Sequence, residues 1–148
     1  MSLSPDELLE RIEALELKGS AVLGFSGGST SVARGATVYG GQGVGNFSTT
    51  KADQQWSAPR WGILSDLYVR LKTNGSSATG NTVTAHINGS DDSTLQVSYG
   101  ATETGIKSDT TGRISIAKGD TITWKLLHNG SGFSDTAIVC SMISAAFT

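Results

Sequence analysis

Residues 60–75 read RWGILSDLYVRLKTNG, and this stretch decides the fold. Apolar and polar residues alternate along it. Trp61, Ile63, Leu67, Val69 and Leu71 fall to one side, with Arg60, Asp66, Arg70 and Lys72 to the other. A period of two is the signature of a half-buried β-strand. Asn74-Gly75 then reads as the start of a turn.

The same period continues outward from this strand. NTVTAHING (81–89) puts Val83, Ala85 and Ile87 on one face and ends in Asn88-Gly89, a hairpin-turn dipeptide. TLQVSYG (94–100) alternates through Leu95, Val97 and Tyr99. GRISIAKGDTITWKLLHNG (112–130) gives two strands about a Lys118-Gly119-Asp120 turn, with Ile122, Trp124 and Leu126 pointing one way. Upstream, residues 21–25 and 37–39 are short strands, and GGQGVGN (40–46) reads as a flexible surface loop. The last segment, TAIVCSMISAAFT (136–148), is apolar on both faces, which predicts a strand covered on both sides. About eight strands at short spacing, with no helix between them, predict an all-β fold, an antiparallel β-sandwich or jelly roll.

One segment breaks the pattern. SPDELLERIEALELKG (4–19) carries seven of the chain's 24 charged residues. Ser4 is an N-cap, Pro5 suits the first helical position, and Glu7 three residues after Ser4 completes a capping box. Gly19 is the stop. Leu8, Ile12 and Leu15 follow the spacing of a coiled-coil seam. A helix this short is marginal alone in water, so it must lean on a partner. The expected organisation is an N-terminal helix over 1–19, for oligomerisation or attachment, then a sandwich domain over 20–148.

Composition narrows the function. The chain has 148 residues, a net charge of −2 and no run of basic residues, which argues against bulk electrostatic binding to nucleic acid. No stretch approaches the roughly 20 apolar residues of a membrane span. Residues 1–18 show no signal-peptide pattern, so synthesis without Sec-type export is expected. A lone cysteine, Cys140, allows no internal disulfide framework.

Candidate chemistry is sparse, and neither a metal, a cofactor nor a catalytic residue is expected. His86 and His128 lack any metal-ligand spacing, and His86 falls on the polar face of its strand. Cys140 sits in the apolar last strand, with no basic neighbour in sequence to activate it. The glycines of 40–46 match neither phosphate-binding pattern. Asp91-Asp92 could join a calcium site, but a solvated hairpin tip is preferred. Asp66 and Asp120 could pair for glycoside hydrolysis, though nothing indicates that they converge. Trp56, in polar KADQQWSAP and outside any clear strand, could form a sugar-stacking platform with Tyr39; packing against the sandwich is the preferred reading.

Residues 57–148 resemble small jelly-roll domains of phage and bacterial surface proteins. A strand with Pro59, Gly62, Leu64, Leu67, Val69 and Leu71 precedes a hairpin with Val83, Ala85, Asn88 and Gly89, then a turn with Ile116, Gly119, Asp120 and Ile122. Such domains are similar to the tumour necrosis factor fold and commonly form trimers. The resemblance implies a virion or fibre component and carries over no catalytic residue. It leads to the expectation of a homotrimeric capsid decoration or head-fibre protein at the virion surface, made in the host cytoplasm and bound to the major capsid protein or another virion component. Subunit contacts are expected from Leu8, Ile12 and Leu15 in the helix and from Ile138, Cys140 and Met142 in the last strand. The alternative is a receptor- or carbohydrate-binding module that uses Trp56 and Tyr39 to recognise a host surface glycan.

Overall fold

A computed structural model of the protein describes residues 4–10, 21–26, 31–44, 47–77, 80–132 and 135–148. Residues 5–10 are helical, and the capping box forms as its sequence predicts. The Ser4 hydroxyl accepts the Glu7 N–H at 3.2 Å, and the Glu7 carboxylate accepts the Ser4 N–H at 2.8 Å. Ile12, Leu15 and Gly19 lie outside the described residues.

Among the described residues after 10, one 3-10 helical turn (Lys51–Gln54) accompanies eleven strands: β1 (Ala21–Ser26), β2 (Ser31–Val32), β3 (Thr37–Gly40), β4 (Gly43–Val44), β5 (Trp56–Ser57), β6 (Gly62–Asn74), β7 (Asn81–Ile87), β8 (Ser90–Tyr99), β9 (Gly105–Ile116), β10 (Thr121–Leu127) and β11 (Ile138–Phe147). One sheet runs β4-β1-β11-β6-β9, with β2 also on β11. The other runs β3-β10-β7-β8, with β5 also on β10. The pairings are antiparallel except β1–β4. Apart from the β7–β8 hairpin, the eight longer strands alternate between the sheets in chain order and wind as a jelly-roll sandwich, the expected fold.

Inward-facing side chains line up across each sheet. Val38, Leu126, Val83 and Val97 form one row of the second sheet, and Phe147, Leu64 and Ile114 form one row of the first. Tyr99 ties the two layers together. Its buried hydroxyl on β8 shares its proton between the carbonyls of Val69 on β6, at 2.8 Å, and Gly105 on β9, at 2.9 Å. The Asn88-Gly89 hairpin has both turn residues at positive φ, 51° and 83°, as a twist-matched two-residue turn requires.

The central strand departs from the expected phase. Period-two counting puts Trp61 and Ile63 on the same face as Leu67, Val69 and Leu71. In the structure Leu64, Leu67, Val69 and Leu71 are buried, while Trp61 is 74% exposed and Ile63 41%. The cause is a bulge. Asp66 has φ 53°, the β6–β9 register shifts between Ser65 and Leu67, and the inward phase passes from even to odd positions. An Asp tolerates this backbone better than a branched residue, and its carboxylate accepts the Ser65 hydroxyl at 2.7 Å.

β11 is corrected in the same way. Register shifts around Cys140 turn Ile138 and Cys140 inward in its first half and Ile143, Ala145 and Phe147 inward in its second. Ile138 and Cys140 therefore belong to the core of one chain, not to a subunit contact. Met142, half-buried, faces outward with Ser144 and Ala146. Within the stretch 40–46, Gly43 and Val44 form β4 and pair with β1 rather than lying in a free loop, and residues 45 and 46 lie outside the described residues.

If the Asp66 bulge sets the phase, Leu67→Ala should cost about 2–5 kcal/mol, whereas Trp61→Ala, measured in protein dilute enough to be monomeric, should stay within about 0.5 kcal/mol of the parent. Urea unfolding of the two variants measures this, and the reverse ranking would restore the unbroken alternation.

Candidate interaction surfaces

The surroundings of the chemistry-bearing side chains decide whether any is free to react. His128 is fully buried. Its Nδ1 accepts the Gly130 N–H at 3.0 Å, which leaves Nε2 to donate to the Thr136 carbonyl at 2.8 Å. The Asp135 carboxylate nearby accepts the N–H groups of Ser77 and Gly132, at 2.8 and 3.0 Å. The Ser77 hydroxyl and these backbone bonds hold its carboxyl below the usual range. His128 and Asp135 thus tie down one end of the sandwich. Burial pushes the Cys140 thiol up to about 12, so its thiolate is suppressed.

Asp109 closes the seam between the sheets. Its carboxylate accepts the N–H groups of Gln96 on β8 and of Thr111 and Gly112 on its own strand, at 2.9 to 3.1 Å. Partial desolvation opposes ionisation there, but the donors outweigh it and the carboxyl titrates low. Asp66 sits in the β6 bulge, and Asp120 caps the β9–β10 turn, bonded to Asn88 Nδ2 and the Ala117 N–H at 2.8 Å each. Each of the two is held in its own turn or bulge. Among the described residues, no cluster of three or more His, Cys, Asp or Glu side chains could hold a metal ion.

The outer face of the second sheet is polar and partly covered. His86 faces outward, as its strand position predicts, yet it is buried beneath the Tyr39 ring, whose centroid lies 5.3 Å away. The Asp91 carboxylate accepts the His86 Nδ1–H at 2.8 Å and the Lys125 ammonium at 2.6 Å. The Lys125 bond is the main reason the Asp91 carboxyl titrates low. Asp92 accepts the Thr94 N–H at 3.1 Å. Tyr39 therefore acts as a lid over His86. Trp56 is not outside the sheets: β5 pairs it with Ile122, and its ring meets Phe147 edge-on at 5.7 Å. The packing reading of Trp56 holds.

The outer face of the first sheet is different. Val22, Trp61, Ile63, Tyr68 and Ile106 are its large exposed apolar side chains, with Val22 70% and Ile106 63% exposed. Val22 lies opposite Ala146, Tyr68 between Ser144 and Ser108, and Arg70 between Met142 and Ile106. At Gly62 the chain presses on Phe147, where an added Cβ would come within 2.6 Å of the ring, and the next residue back, Trp61, stands out into solvent. Exposed Arg70, Lys72 and Arg113 share this face, and none of them is in an ion pair among the described residues. Scattered apolar residues are ordinary on a surface, but a contiguous patch marks a contact site. Sequence reading places Trp61 and Ile63 in the core, so it misses this face; the three-residue Leu64–Leu67 spacing is the signal that could have found it.

No family model matches the sequence, and no curated protein matches it either. Among solved structures, the chain is similar to a GH26-CBM35 β-(1,4)-mannanase of Podospora anserina, at 16% identity and a TM-score of 0.38. The match covers 88% of this chain and 27% of that one. At that level it assigns no function to this protein.

Two outcomes follow from the bonding. Cys140 should resist a thiol reagent at pH 8 in the folded protein and react fully in denaturant; rapid native labelling would contradict its burial. Asp91, Asp109, Asp120 and Asp135 all have lowered folded values. Their stabilisation is therefore present above the unfolded carboxylate pKa of about 3.9 and is lost as pH falls through the lower folded values. The melting temperature should be nearly flat from about pH 7 to 5 and fall below about pH 4. A maximum near pH 3 would contradict that sign.

Proposed function

We propose that this protein is a non-enzymatic, self-associating β-sandwich subunit, a homotrimeric component displayed on a virion surface and attached to the capsid. One observation carries the self-association: five large apolar side chains, Val22, Trp61, Ile63, Tyr68 and Ile106, are exposed on the outer face of the first sheet. Burying a side chain of this size contributes about 1.5–3 kcal/mol, so a patch of five can support a stable contact. A trimer needs two different surfaces that meet and close a ring. The non-enzymatic reading is supported by the use of His128, Asp109, Asp120 and Asp135 in holding turns and seams. The virion setting is supported by the resemblance of residues 57–148 to phage surface domains.

A receptor- or glycan-binding module is the second reading. Its support moves from the packed Trp56 to Trp61, the exposed ring on the same face as Tyr68.

Sedimentation equilibrium should give three times the 15.3 kDa chain mass, and Tyr68→Asp with Ile106→Asp should leave a folded monomer. A parent that stays monomeric at high micromolar concentration would end the self-association reading. Co-sedimentation with capsids tests the attachment, and failure to bind them removes it. Saturable glycan binding that Trp61→Ala abolishes would favour the second reading instead.

A further inference from the structure

The N-terminal helix and the first sheet's outer face have matching needs. Every residue from Ser4 to Glu10 is exposed, with Leu8 and Leu9 each about half accessible. At 3.6 residues per turn, Pro5, Leu8 and Leu9 fall within an arc of about 100°, and Asp6 and Glu10 flank its Leu9 side. Among the described residues, neither Asp6 nor Glu10 is in an ion pair. The described turns of the helix are well capped and exposed throughout, and a short helix in water is unstable without a surface to lean on.

The sheet presents the complement. Trp61, Ile63, Tyr68 and Ile106 supply apolar area, and Arg70, Lys72 and Arg113 surround it with positive charge. Asp66 is the acidic side chain among them and is half-buried in its bulge. Among the described residues, both this face and the helix are exposed.

We propose that the acidic helix of one copy seats on the apolar, basic outer face of the first sheet of a second copy. Leu8 and Leu9 lie over Tyr68 and Ile106, and Asp6 and Glu10 meet Arg70 and Arg113. The inference rests on the self-association reading and deepens it. The contact is helix to sheet: made one way round it closes a ring, made reciprocally it closes a two-fold dimer, and the sedimentation mass separates the two. It also gives the helix a role other than bundling with its own kind.

The test co-expresses two singly substituted chains, Leu9→Cys and Ile106→Cys, and oxidises them mildly, with sedimentation run in parallel. The expected result is a disulfide-linked pair of the two different chains, formed in preference to either chain with itself. A second arm uses charge. Arg70→Glu with Arg113→Glu should weaken association by about tenfold or more, and co-expression with chains carrying Asp6→Lys and Glu10→Lys should restore it. Linkage of Leu9→Cys chains to each other, without the mixed product, would show helix bundling and overturn the proposal. An intact oligomer with no mixed product and no charge rescue would overturn the docking while leaving self-association standing. A monomeric parent would remove both.

Discussion

The arrangement depends on one backbone irregularity, the bulge at Asp66 in the middle of β6. β6 lies between β11 and β9, so its phase sets what the first sheet turns inward and outward. With the bulge, Leu64, Leu67, Val69 and Leu71 all reach the core, and Trp61, Ile63 and Tyr68 all face out. An unbroken strand could not do both, because a one-residue slip exchanges the two faces. β11 adapts beside it with shifts of its own around Cys140, and so delivers Ile138, Cys140, Ile143, Ala145 and Phe147 to the same core. A residue that accepts positive φ is what makes one interior and one apolar exterior compatible in the same strand.

Polar groups serve closure of the sandwich. The Tyr99 hydroxyl reaches across from one sheet to the other, and burial raises it to about 12. Asp109 gathers donors from β8 and β9, and Gly112 lets those strands approach so closely that a Cβ there would collide with the Thr94 carbonyl. His128 and Asp135 fasten the opposite connection. These groups are aimed at backbone atoms, and such bonds stabilise a fold more readily than they prepare a reaction. What is left outward on the first sheet is surface chemistry: rings, aliphatic side chains and exposed cations.

Much of this was legible in the residues. The alternating segments give the sandwich, Asn88-Gly89 gives its hairpin, and Ser4 with Glu7 gives the capping box, because each is a local rule that the fold does not override. Counting by two fails at Trp61 and Ile63 because a bulge adds a residue without changing composition. The resembling motif carried the correct phase in its Leu64–Leu67 spacing. The first half of β9, Gly105–Thr111, escapes notice because an edge strand with polar residues on its open side shows little alternation. His86 looked exposed by position, and only the tertiary placement of Tyr39 buries it. The outer apolar face was the least legible feature, since it exists only once the bulge has chosen which residues leave the core.

The central claim is that this face is a contact surface between copies. Hydroxyl-radical footprinting across a range of protein concentrations tests it most directly, because it reads each side chain separately. Trp61, Tyr68 and Ile106 should become protected together as concentration rises, while Tyr39 and Lys125, paired on the second sheet, keep constant reactivity. Unchanging reactivity at Trp61, Tyr68 and Ile106 from dilute to concentrated solution would contradict the account.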